Sequence, residues 1–393
     1  MPRIVPPLRQ MTSRSCSAQN KGQGGASEPF AASGCSDRRQ AVGTKERVEF
    51  IDTARGIAML CIVLGHLGIA QINYVVYTFH VPIFFLITGW FVSTKQGTGA
   101  FARKRARTLL VPYAVTALVL CVGKVLEALI GGGVHDAAIA AVWWPIAALY
   151  ASGSGFTPMP EQVASIGAIW FLWACFWGCV GLRLLLQLKQ EWLRALIVLA
   201  VALAGVFTAK IFFLPLSIQP GCVALAYMYV AWAARRYLSD WAKAWPRGVK
   251  AAVLVGAGIL WVAYIIWKDR VVFVEAAPGQ HWWSIVGILA GCVSVLFLSW
   301  ALTKAAPKLA RPLMFLGKYS LIMLCVHILE MWFIDYNALV TLATGAGVPY
   351  LIAGGAAVVL KLAIIIGLTV LLAKWAPSRK LFGFAPLPAK AVR

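Results

Sequence analysis

An all-α, polytopic integral membrane bundle is predicted by three features of the 393-residue sequence. Hydrophobic residues make up 61% of it and charged residues only 13%, with a mean hydropathy of +0.78, outside the range of an ordinary soluble domain. The apolar residues gather in runs close to the roughly 20 that a helix needs to cross a hydrocarbon core. These runs do not alternate as barrel strands do, and backbone in lipid must be hydrogen-bonded internally, so they read as helices.

Taken in order, residues 1–47 are rich in Ser, Gly, Gln, Arg and Pro with no apolar run, and read as a disordered basic tail in which Met11 is an alternative start. A membrane domain is expected over 48–376 and a cytoplasmic C-terminal tail over 377–393. The domain offers about ten spans: Phe50 to Ala70, Tyr74 to Val92, Leu109 to Ile130, Ile166 to Leu188, Trp192 to Phe213, Cys222 to Tyr237, Val249 to Trp267, Trp282 to Leu302, Leu316 to Ile334 and Val348 to Trp375. The stretch Ala137 to Tyr150, with Trp143, Trp144 and Pro145, is too short and interrupted to span. It is expected as an interfacial helix in an outer loop, where Trp prefers to sit.

The formal charge of +22 would point to a polyanionic partner in a soluble protein. Here 30 of the 36 Lys and Arg fall in the tail and in alternate connections, Lys95 to Arg107, Arg183 to Arg194, Arg235 to Lys250, Lys304 to Lys318 and Lys374 to Arg393. With both termini cytoplasmic this satisfies the positive-inside rule at every turn, so the charge orients the bundle and a nucleic-acid partner is excluded. The nine cysteines form no regular framework, and those in apolar stretches behave as small hydrophobes. Cys175 and Cys179, one helical turn apart, read as packing, and no metal site or nucleotide-binding motif is found.

Charged side chains inside a span are the natural functional candidates, because each costs about 2.5–3.5 kcal/mol on insertion scales. Four cations remain there, Arg55, Lys124, Lys210 and Lys361, with Asp52, Glu127 and Glu330. Asp52 and Arg55 are three apart, on one face of the first span. His66, eleven residues beyond Arg55, lies roughly 16 Å higher and about 20° from the same face, so both look into one cavity. The plainer alternative is an interfacial ion pair and a packed histidine.

The second span contributes the most specific pattern. Ile51-Asp52-x-x-Arg55-Gly56, the Arg-x10-His spacing ending at Gly65-His66, and Phe79-His80-Val81-Pro82-x-Phe84-Phe85-x-x-x-Gly89 together resemble the integral membrane acyltransferase family 3, with fucose 4-O-acetylase-type sugar O-acetyltransferases as the nearest likeness. Arg103-Lys104-Arg105-Ala106-Arg107-x4-Pro112, Ile169-Trp170-Phe171-Leu172 and Leu316-Gly317-Lys318-Tyr319-Ser320-Leu321 with His327 agree in order, and the likeness covers residues 48 to 375.

The resemblance implies transfer of an acyl group from cytoplasmic acetyl-CoA, a co-substrate in place of any permanently bound cofactor, to a hydroxyl of a cell-surface or lipid-linked saccharide in the inner or plasma membrane. O-antigen-type members carry an added soluble domain; here transfer is expected to finish in the membrane or through a separate partner. His66 suits a general base, since imidazole titrates near neutrality; Arg55 and His80 complete the catalytic set. Arg103, Arg105 and Arg107 suit the donor phosphates, with a topology signal as the plainer reading. Asp52, Trp170, His327 and Glu330 are acceptor or cavity candidates, with Lys361 able to reach toward the last two; an aromatic belt is the alternative for Trp170 and a structural interhelical pair for His327 and Glu330. The competing function is a secondary transporter, for which the sequence offers no repeat and no paired broken helices.

Overall fold

The computed structural model describes residues 48–154 and 165–385; the basic tail to residue 47 and residues 386–393 lie outside the described residues. Regular structure among the described residues is helical, apart from an isolated antiparallel bridge between Val272 and Ala277.

Helix α1 (Glu49–Gly65) opens with Glu49 and Asp52 in its first turn, where carboxylates complement the positive end of the helix. It stops at His66, and Gly68 at φ 74° turns the chain away. The predicted span from Tyr74 to Val92 is divided. A short α2 (Ala70–Val76) and α3 (Pro82–Trp90) are separated by a turn holding Thr78, Phe79 and His80. Pro82 supplies the physical reason: it has no N–H to bond back to Thr78, and its ring would collide with that carbonyl in a continuous helix.

The run α4 (Thr98–Tyr150) is 53 residues long but bends at Gly133, which holds φ 78°, ψ −164°. The chain beyond this point folds back. Tyr113 Oη donates to the Ala148 carbonyl, Ala147 is fully buried, and Trp144 meets Trp332 edge-on at 5.1 Å. The stretch expected as an interfacial helix is therefore the returning arm of a helical hairpin. Its tryptophans and Pro145 argue for an interface only while its partner is unknown; the reversal rests on Gly133, in a conformation that L side chains rarely adopt.

Next come α5 (Trp170–Leu185), α6 (Glu191–Thr208) and α7 (Ile218–Ala233). A π turn at Ala234–Leu238 and α8 (Ser239–Ala244) extend α7, and α9 (Arg247–Trp267), α10 (Ser284–Ala305) and α11 (Pro307–Lys318) follow. The chain finishes with α12 (Ser320–Phe333), α13 (Tyr336–Gly345), α14 (Tyr350–Lys374) and α15 (Ala376–Leu381). Six helical stretches are long and apolar enough to cross a membrane, and a seventh counts if α11 and α12, bent by 72° at Tyr319, are one span. The predicted tally of about ten also counts α1, α3 and α5, which at 17, 9 and 16 residues are shorter than the roughly 20 of a full span and bury hydrophobic residues in the core. Peripheral and central spans differ plainly: 6% of the α9 segment is buried, against 56% of the stretch containing α7.

The basic connections meet one another. Buried Arg183 donates to the Gln96 carbonyl at 2.7 Å, Gln187 to Thr98 Oγ1 at 2.8 Å, and Arg235 to the Trp90 carbonyl at 2.6 Å. Arg379 is also buried, donating to Tyr319 Oη at 3.1 Å and to the carbonyls of Ala373 and Ala385. These two arginines thus satisfy loop and helix-end carbonyls as well as carrying charge, and the segment from 377, expected as a tail, carries α15 and packs on the bend at Tyr319.

Candidate active site

The first part of the site is set by a close crossing of α1 and α11. A Cβ on Gly56 would fall on the Leu313 carbonyl, and one on Gly317 on the Asp52 carbonyl. Two glycines, one on each helix, thus let the backbones touch. Thr53 Oγ1 meets Thr303 Oγ1 of α10 at 2.9 Å in the buried interior beside this crossing. Asp52 is buried, and its Oδ1 lies 3.8 Å from Arg55 Nη1, so the acid and base expected to pair do so.

The second part lies where α1 ends. His66 Nδ1 is 2.7 Å from the Ile62 carbonyl, so this nitrogen must carry the proton. It also sits 3.4 Å from His327 Nε2, with the two rings edge to face at 5.1 Å. His327 is fully buried, and its Nδ1 is 3.3 Å from Glu330 Oε2, one turn further along α12. The other carboxylate oxygen, Oε1, receives Lys361 Nζ of α14 at 3.1 Å, and that ammonium stands 4.8 Å over the Tyr336 ring.

One proton assignment satisfies every contact. Glu330, held by Lys361, accepts from His327 Nδ1–H; His327 Nε2 then keeps a lone pair toward His66 Nδ1–H. His66 Nε2 is left unprotonated on a residue that is exposed where α1 ends, its ring lying partly against the protein. The arrangement can remove a proton from a group placed at that nitrogen, with a buried His and carboxylate behind it holding the tautomer, the logic of a base oriented by a second group.

His80 repeats the local geometry. Its Nδ1 is 2.6 Å from the Val76 carbonyl, so its Nε2 is also free of hydrogen. Tyr77 links the two histidines: its ring packs on His80 at 5.0 Å and its hydroxyl donates to the Gly65 carbonyl at 3.2 Å. Both histidines therefore sit at breaks in helices, backbone that a membrane protein tolerates only within its own interior or around a cavity.

The other candidates are distributed unevenly. Arg103 and Arg107 are exposed, whereas Arg105 is half-buried with its guanidinium 5.2 Å over Phe101. Trp170 is 5% exposed, packed in the core against Phe171, which leaves no open face for stacking. Sequence reasoning set Lys361 beside the site as an alternative and missed Tyr336, since a tyrosine after a polar Asp335 gives no signal. Two shallow apolar depressions of about 390 and 340 Å³ lie elsewhere, one along α9 and one between α5, α6 and α7; neither includes these residues.

In this helical bundle His66, exposed at the end of α1, is backed by buried His327, Glu330 and Lys361. Residues 48–373 match the family model described as an acyltransferase domain, and the chain belongs to that family, acyltransferase family 3. No curated protein and no solved structure matches it.

Proposed function

We propose that this acyltransferase is an O-acetyltransferase that moves an acetyl group from acetyl-CoA, supplied at the basic cytoplasmic end, to a hydroxyl of a cell-surface or lipid-linked saccharide. The observation that carries the reading is the exposed His66 with its Nδ1 committed to the Ile62 carbonyl and to His327. His66 Nε2 takes the proton of the acceptor hydroxyl as that oxygen attacks the thioester carbonyl. The tetrahedral intermediate then collapses, the C–S bond breaks, and the departing thiolate recovers the proton from His66.

Arg55, held by Asp52 about 16 Å below His66 on α1, would meet the pantetheine-linked phosphates of a donor whose thioester has reached His66. Arg105 is favoured for the nucleotide over Arg103 or Arg107, because it is half-buried with its guanidinium held over Phe101 whereas they are exposed. His80 supplies a second unprotonated imidazole nitrogen from the α2–α3 turn, suited to receiving the acceptor hydroxyl. Trp170 supports the site through packing.

A transporter keeps one observation in its favour: helices interrupted at Tyr77 to Val81 and at Tyr319, near buried polar groups, are features of transport sites. Membranes containing the wild type or His66→Ala, given acetyl-CoA labelled in the acetyl group, separate the two. Label should enter saccharide with the wild type and fall by about 10²- to 10⁴-fold with His66→Ala. Undiminished labelling in the variant sinks the base assignment, and saccharide uptake without label transfer favours transport.

A further inference from the structure

We infer that Lys361 is a positioning residue for acyl transfer, acting through Glu330 and His327 on the basic nitrogen of His66; this rests on the enzymatic reading above. Lys361 is 5% exposed in the middle of α14, a position where an ammonium is costly. A merely structural pair would not need a histidine on its far side. Here Lys361 Nζ binds Glu330 Oε1 at 3.1 Å while Glu330 Oε2 faces His327 Nδ1 at 3.3 Å, and His327 Nε2 faces His66 Nδ1 at 3.4 Å. The contacts follow one another without a gap, His66 Nδ1 being shared between His327 and the Ile62 carbonyl, so the ammonium and the imidazole are the two ends of one chain of contacts.

Tyr336 fixes the start of that chain. Its ring lies 4.8 Å from Lys361 Nζ, and α13 places it there directly after the Asp335 cap. The consequence is directional. Glu330 with its cation stays ionised and holds the His327 proton on Nδ1, which presents a lone pair to His66. Without the cation, a buried carboxyl is neutral, His327 is released to carry its proton on Nε2, and that proton opposes the one on His66 Nδ1. His66 then turns or changes tautomer, and its free Nε2 is lost.

The test uses the full chain in lipid nanodiscs with Lys361→Met, Lys361→Arg, Glu330→Gln and the double variant Lys361→Met with Glu330→Gln. Two quantities are read: kcat and KM for labelled acetyl transfer, and the rate at which diethyl pyrocarbonate modifies His66, followed by mass spectrometry. Lys361→Met should lower kcat and the modification rate by about tenfold or more with KM for acetyl-CoA unchanged. Lys361→Arg should recover much of both, and the double variant should be no slower than Glu330→Gln alone. The double variant removes both charges, so it leaves no lone buried ion and keeps the comparison open if Lys361→Met does not fold.

A wild-type His66 modification rate in Lys361→Met, or losses that multiply in the double variant, overturns the inference. Acetyl transfer absent from the wild type while the modification rate still drops in Lys361→Met refutes the enzymatic reading and leaves the positioning role standing. Transfer present but indifferent to Lys361 refutes the positioning role alone.

Discussion

Gly317→Ala probes the placement of Asp52 and Arg55 without touching either side chain. Its new methyl would overlap the Asp52 carbonyl, and both the obstacle and its support are helix backbone, so no rotamer change relieves it. A carbon and a carbonyl oxygen settle at about 3.3 Å or more, so α1 and α11 must part by on the order of 1 Å. Overpacking of this kind costs about 1–3 kcal/mol, partly offset by the roughly 0.5–1 kcal/mol that Ala gains over Gly within a helix. The larger effect falls on activity, because a displacement of about 1 Å in positioned groups can cost about 100-fold. Gly354→Ala is the matched control: it lies in α14 with open space where its Cβ would be. Thermal unfolding in detergent and labelled acetyl transfer are measured on both. Gly317→Ala should melt below the wild type and transfer about 100-fold more slowly, while Gly354→Ala matches or exceeds the wild type. If the two alanine variants behave alike, the close crossing does not set the site and the reasoning fails.

Two further outcomes follow from where side chains point. Arg105→Ala should raise KM for acetyl-CoA by about tenfold, the scale of one lost charge-assisted contact of about 1.4 kcal/mol, while exposed Arg107→Ala changes it little; equal effects would return the basic run to a topology signal. Trp170→Ala should lose about 3–5 kcal/mol of stability through a core cavity and Trp170→Phe distinctly less, read by thermal unfolding. A stable Trp170→Ala with raised KM for saccharide would instead restore the stacking role.

Much of the site was legible in the sequence because its residues are chemically out of place. Asp52, Arg55, His66, His80, His327, Glu330 and Lys361 are polar groups in apolar runs, and their cost in lipid is itself the signal. The break in the second span was also written locally, in Pro82. What was not legible is pairing over long separations. His66 and His327 are 261 residues apart in the chain, and nothing in either segment names the other.

The sequence by itself determined that this protein is helical and membrane-embedded, and which few polar residues stand out within its apolar runs, because hydropathy and residue type are local properties. The return of the chain at Gly133, the burial of Trp170, the inward turn of Arg105 and the contact of His66 with His327 were decided only by tertiary structure. Each depends on what a neighbouring helix presents: a backbone that only glycine can approach, an apolar wall that encloses an indole, or a buried histidine, carboxylate and ammonium that stand in line behind a distant imidazole.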